Sequence, residues 1–411
     1  MEKEKEIKTV VPALRFPEFQ GMIGWEKTYI YEECPNPYSG GTPKTTEKKY
    51  YGGNIPFIRS AEIGKDKTEL SITQEGLNSS SAKMIQKGDL LIALYGANSG
   101  DIAISKIDGA INQAILCLKA KSNNLFIYYT LLKKQKDIVS KYLQGGQGNL
   151  SGEIIKSIDF YIPQEIEQQK IANCLSSLDE LIEATAQKVR ALEKHKKGLM
   201  QRLFPAEGKN VPDLRFPEFQ GTEEWKERQL GNIGEVITGN TPSTKDMTNY
   251  GGNKLFVSPA DISSNRYVSD TKIKLTDKGF STGRYIRANS VLFVCIGSTI
   301  GKVAQNKIEC ITNQQINVIV PYEEYLSDFI YSVLEHKASQ IAMFAGQQAV
   351  PIINKTLFSS ISILVPPQKE EQQKIADCFS SLDELIEATS RKVEILKEHK
   401  KGLMQQLFPK I

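Results

Sequence analysis

EQQKIANCLSSLDELIEATAQKVRALEKHKKGLMQRLFP (residues 167–205) and EQQKIADCFSSLDELIEATSRKVEILKEHKKGLMQQLFP (371–409) are nearly one sequence written twice. They agree at roughly four positions in five, far beyond chance for an internal repeat. In the first copy Ile171, Leu175, Leu178, Ile182, Thr185, Val189, Leu192, Leu199 and Leu203 recur in steps of four and three, and only Lys196 interrupts them. The second copy gives Ile375, Phe379, Leu382, Ile386, Thr389, Val393, Leu396, Leu403 and Leu407. This is a heptad seam over about five repeats, the mark of a long helix that buries one stripe against another helix. Pro163 and Pro366-Pro367 stand before the starts, and Phe204-Pro205 and Phe408-Pro409 close the ends. Cys174 and Leu181, with Cys378 and Leu385, widen each stripe near its start, which suggests a second neighbour there.

The repetition extends outward. VPALRFPEFQG (11–21) returns as VPDLRFPEFQG (211–221), with Trp25 and Trp225 at the same distance behind. SGGTPKTTEKKYYGGNIPFIRSAEI (39–63) answers more loosely to TGNTPSTKDMTNYGGNKLFVSPADI (238–262), LYGANSGDIAI (94–104) to CIGSTIGKVAQ (295–305), and AINQAI (110–115) to ITNQQI (311–316). The chain therefore reads as a domain over residues 1–162, a helix over 163–205, a second domain over 206–365 and a second helix over 366–411. At ~1.5 Å per residue some 35 helical residues reach roughly 50 Å. The first helix carries the chain from one domain to the next, so the second must run back to bury its stripe. The expected architecture is α+β: a tandem pseudo-two-fold repeat of a mixed α/β domain plus a long helix, the helices forming an antiparallel coiled coil. Each opening run should then sit beside the end of the other repeat's helix.

Composition narrows the function. Of 411 residues, 40% are hydrophobic and 24% charged, as in an ordinary soluble protein, and a formal charge of +4 permits a nucleic-acid partner without demanding one. No apolar run reaches the ~18 residues of a membrane span, and MEKEKEIKTV does not read as a secretion signal. Six cysteines without a C-x-x-C pair suggest reduced thiols in a cytoplasmic protein. No metal site is expected. His195, His336 and His399 read as solvated side chains. Asn36-Pro37-Tyr38 falls short of the Asn-Pro-Pro-Tyr motif of amino-methylating enzymes and reads as a turn. LYGANSG and GSTIG lack the spacing of phosphate-binding loops. No catalytic residue is expected in this chain.

Before each helix lie strand-like runs: NIPFIRS (54–60), DLLIALYG (89–96) and AILCLKA (114–120), then KLFVSPA (254–260), SVLFVCIG (290–297) and INVIVP (316–321). Helical stretches follow over 124–142 and 325–344. Glycine-rich loops between them carry amides, hydroxyls and cations, and binding residues gather on such loops. In the first half these are Lys44, Arg59, Ser60, Asn98, Ser99, Lys106, Asn112, Gln113, Gln147 and Asn149. In the second they are Ser243, Lys245, Ser258, Arg266, Ser298, Lys302, Asn313, Gln314, Gln315, Gln347 and Gln348. Asn and Gln can pair with adenine edges, and Arg or Lys with guanine or phosphate. Singly, an amide beside a glycine more often holds a turn. Concentrated at matched positions, these residues form a candidate DNA-binding face.

G-x-T-P, Tyr-Gly-Gly, Gly-x-x-x-Gly and Asn-Gln, followed by an Glu-Gln-Gln-Lys-Ile-Ala helix ending in HKKGLMQ-x-LFP, occur in that order in both halves. In this the chain resembles the specificity subunits of type I restriction–modification enzymes. The resemblance implies two target-recognition domains, each reading half of a bipartite, asymmetric site in double-stranded DNA. It implies that the paired helices fix the spacer and dock two modification subunits, which carry S-adenosylmethionine and methylate adenine. Motor-nuclease subunits using ATP and Mg²⁺ would join them, and this chain would bind no cofactor itself. A coiled-coil scaffold whose domains bind proteins or glycans is the rival reading, and salt-dependent binding to duplex DNA would separate the two.

Overall fold

The computed structural model describes residues 9–143, 149–263, 265–346 and 351–410. The chain divides into two compact units, Met1–Ala184 with Val393–Ile411, and Thr185–Lys392. Each unit thus holds one domain and a segment of both long helices. Among the described residues no helix is long and apolar enough to cross a membrane.

In the first unit an antiparallel sheet orders the strands Tyr38–Ser39, Ile115–Leu118, Leu90–Ala93 and Ile102–Ile104. Its two central strands are buried along their whole length, which explains their unbroken apolar sequence. A second sheet orders Leu70–Ile72, Tyr51–Ile58, Gly109–Ile111 and Lys83–Ile85, with Tyr51–Ile58 parallel to Gly109–Ile111. The helix Asn124–Leu143 lays Phe126, Ile127 and Leu131 on Leu90 and Ile92 of the first sheet. A short ladder pairs Glu26–Tyr29 with Asp159–Ile162, just before the long helix.

The second unit repeats the plan. Five strands order as Gly234–Thr238, Ile316–Pro321, Val291–Val294, Val303–Asn306 and Tyr267–Val268, and three more as Lys274–Leu275, Tyr250–Val257 and Cys310–Thr312. Ser327–Met343 is the covering helix, and Lys226–Gln229 pairs with Ser362–Val365. Every strand expected from alternation is present in both units, as are both shorter helices.

The long helices run over Glu165–Leu203 and Lys369–Leu407. Every seam residue, including Leu178, Ile182, Val189, Leu192, Ile386 and Leu396, is buried or half-buried. Within each unit the start of one helix meets the end of the other. In the first, Ile171, Ala172 and Leu175 share a core with Leu403, Met404, Leu407 and Phe408. In the second, Leu199, Met200, Leu203 and Phe204 share one with Ile375, Ala376, Phe379 and Leu382. Opposed directions follow directly. The seam is not coil throughout, because its ends dissolve into the domain cores.

Three details differ from the sequence reading. Leu181 and Leu385 do not widen the buried stripe, since they are 44% and 43% exposed. Lys196 is no defect in the seam: it is buried, with Nζ 2.6 Å from both Glu335 and Asp383. The matching Lys400 lies 2.6 Å from Asp179, so the interruption is a repeated ion pair. His336 is not solvated. It is half-buried and stacked on Phe204 at 5.1 Å.

The repeated opening run has a structural purpose. Arg15 grips Glu167 with two hydrogen bonds of 2.8 and 2.7 Å, and Trp25 Nε1 donates to the same carboxylate at 3.2 Å. Arg215, Glu371 and Trp225 reproduce this at 2.7, 2.7 and 3.2 Å. Such forked pairing is geometry only arginine supplies. Trp25 also packs on Phe126 and Phe408, as Trp225 does on Phe329 and Phe204. The Leu14 amide donates to Gln406 at the end of the second helix, and the Leu214 amide to Arg202 at the end of the first. Each run therefore joins the start of one helix to the end of the other inside its own unit, as the repeat required.

Candidate nucleic-acid interface

At one end of each domain three motif loops converge. The Gly40 amide donates to Asn112, so the G-x-T-P loop lies directly on the Asn-Gln turn. An added Cβ on Gly40 would stand 1.7 Å from the Ile111 carbonyl oxygen, and one on Gly239 would stand 2.2 Å from that of Thr312. Only glycine permits this approach. From the other side the Leu94 amide donates to Ala114, which brings in the loop 94–100. In the second unit the Cys295 amide donates to Gln315 in the same way.

Side chains fasten the junction identically in both units. Thr42 Oγ1 donates to Gln113 Oε1 at 2.7 Å, and Thr241 Oγ1 to Gln314 Oε1 at 2.6 Å. Tyr51 donates to the Pro43 carbonyl and Tyr250 to that of Pro242, each at 2.7 Å. Thus the Thr-Pro, Tyr-Gly-Gly and Asn-Gln motifs, far apart in sequence, form one constellation twice.

The expected contact residues divide by how their polar atoms are used. Asn112 Oδ1 accepts the Ala114 amide, and Asn313 Oδ1 accepts that of Gln315 while its Nδ2 donates to the Gln315 side chain. Gln315 Nε2 faces the Ile296 carbonyl. Asn98 donates to Asp101, Ser99 to the Leu94 carbonyl and Ser258 to Asp261. These side chains hold turns. Lys302 donates to the Ile262 carbonyl and closes a loop.

Two arginines are engaged by carboxylates. Arg59 stands beside the Asn-Gln turn, yet its guanidinium is held by Glu62 at 3.0 Å and Glu69 at 2.5 Å. Those carboxylates push its pKa up, Glu62 foremost. Arg266 is 4% exposed, bonded to Gln305 and Ser380 at 2.6 Å, paired with Asp328 at 2.7 Å and stacked 4.6 Å from Tyr331. It ties its domain to the second long helix and is buried there, unlike the exposed contact expected from the sequence.

The side chains of Lys44, Ser60, Lys106, Asn149, Ser243, Lys245 and Ser298, and the Nε2 groups of Gln113 and Gln314, make no hydrogen bond or ion pair among the described residues. Lys106 lies past the far end of the strand Ile102–Ile104, away from the junction. Gln147, Gln347 and Gln348 lie outside the described residues. Thr42, Thr241, Tyr51 and Tyr250 were missed by sequence reasoning, though recurrence at matched positions in two diverged copies was the available signal. Tyr38, in the incomplete methylation motif, is a strand residue donating to the Met84 carbonyl. The cysteines Cys34, Cys117, Cys295 and Cys310 are buried, and burial pushes the Cys34 and Cys295 thiols up to about 12.

A family model described as the type I restriction modification DNA specificity domain matches residues 22–194 and again 222–398. The chain is 22% identical over 393 residues to the type I restriction enzyme HindI specificity subunit of Haemophilus influenzae, covering 77% of this chain and 85% of that one. It is 30% identical over 207 residues to the EcoR124I/EcoR124II specificity subunit of Escherichia coli, covering 47% and 50%. Among solved structures, the S subunit of the type I restriction–modification system of M. genitalium superposes with a TM-score of 0.68 at 16% identity, over 98% of this chain and 100% of that one. At that identity the likeness is one of fold.

Proposed function

Because the chain belongs to the type I restriction modification DNA specificity domain family, whose domain it carries twice, we propose that it selects the DNA sequence on which a multisubunit methyltransferase and endonuclease acts. Each domain reads one half of a bipartite, asymmetric target. The antiparallel helices fix the spacer and dock two modification subunits, which bring S-adenosylmethionine and swing the target adenine out of the stack. A motor-nuclease subunit, using ATP and Mg²⁺, cuts DNA lacking the methyl mark. The chemistry belongs to those chains.

One observation supports this reading above the others. The same loop constellation recurs in both units amid unlike surrounding residues, whereas the long helices are nearly identical. Unlike surroundings suit unlike half-sites, and identical helices suit identical partner subunits. Exchanging residues 1–162 for the equivalent domain of a relative, followed by genome-wide mapping of adenine methylation, should change one half of the methylated motif and keep the other. A motif unchanged by the exchange, or altered in both halves, would end this assignment.

A further inference from the structure

Resting on that reading, we propose that Gln113 and Gln314 are positioning residues whose side-chain amide N–H groups hold the DNA phosphate backbone, and that they read no base. A glutamine that recognises adenine uses both ends of its amide, accepting from N6 and donating to N7. Here the accepting oxygen already takes one hydrogen bond, because Thr42 Oγ1 donates to Gln113 Oε1 at 2.7 Å and Thr241 Oγ1 to Gln314 Oε1 at 2.6 Å. That bond fixes the amide and competes with a base N6 donor. The exposed side chain is thereby pinned, and its unengaged group is Nε2, a pure donor.

The mounting is rigid as well as repeated. The preceding asparagine closes the turn through its Oδ1 in both units. The Thr-Pro loop is locked from behind by Tyr51 or Tyr250, and Gly40 or Gly239 leaves no room for it to shift. A donor held identically in two domains that read different half-sites must address something the half-sites share. Phosphate oxygens are that feature, since they position a protein without carrying sequence. Lys44 and Lys245, exposed on the same loops, add the charge that such a contact needs.

The test uses the chain assembled with its methylating partner, measuring affinity for duplexes carrying the intact target and for duplexes with one half-site altered. Gln113→Leu should weaken both about tenfold, the effect of one lost hydrogen bond, and leave their ratio and the methylated motif unchanged. Gln113→Glu should weaken both further, because an oxygen anion then replaces the donor. Thr42→Val should mimic Gln113→Leu, and Thr42→Ser, which keeps the hydroxyl, should restore binding. Gln314 and Thr241 should behave alike. Relaxed or altered preference at a base in one half-site would overturn the proposal, as would undiminished affinity in Gln113→Leu. A wild-type complex that binds no duplex would instead overturn the functional reading beneath it.

Discussion

The single imidazole of His336 shows how little its neighbours in sequence say about a residue's environment. It lies in a polar stretch, yet the helix turns it onto Phe204. Burial, helped by the adjacent Lys337, holds its pKa below the ordinary 6.5. The unfolded chain therefore takes up this proton first as pH falls past that value. Its contribution to stability is complete above 6.5 and is lost below it, levelling only when the folded imidazole protonates too. His336→Phe should keep the stacking and remove this part of the acid destabilisation, as read from thermal melts at stepped pH. An acid limb of undiminished depth would assign it to other groups. Arg266 makes the same point: its residue type suggested DNA, but Asp328 and Asp383, 62 and 117 residues further on, pair with it, whereas Arg59 is met by its near neighbours Glu62 and Glu69. Nothing in a residue's identity reveals that its charge is already balanced.

Among the elements, the two long helices were the most legible, because a seven-residue period is local and needs no knowledge of the fold. What the period could not reveal was the meaning of its interruption. Lys196 is met by Asp383 across the helix pair and by Glu335 on the covering helix, whereas Lys400 meets Asp179, which also accepts from Tyr129. Lys196→Met would leave Glu335 without a cation and Asp383 with only Arg266, 3.6 Å away, with an expected cost of about 3 kcal/mol. Lys400→Met affects only Asp179, which keeps its bond from Tyr129, is 39% exposed and can hydrate, so its cost should be lower, about 1–2 kcal/mol. Urea midpoints at unchanged slope would show the difference. Equal losses would mean that Glu335 contributes nothing to the cluster.

For the whole molecule, the central expectation concerns distance. If the helices set the spacer, deleting one heptad from each should shorten or abolish the spacer accepted in the methylated motif and leave both half-site sequences intact. Half-sites that changed instead would break the link between helix length and spacing. The sequence by itself determined the repeat, the strands, the helices and their opposed directions, because periodicity, proline stops and duplicated motifs are properties of short segments and their order. Tertiary structure alone decided which polar groups remain free. Arg15 and Glu167 are 152 residues apart, and Thr42 and Gln113 are 71 apart. Whether such groups meet depends on how the chain returns on itself, and no local pattern encodes that return. Hydrogen-bond satisfaction is therefore settled only in the folded chain, and it separates residues that hold the fold from those left free.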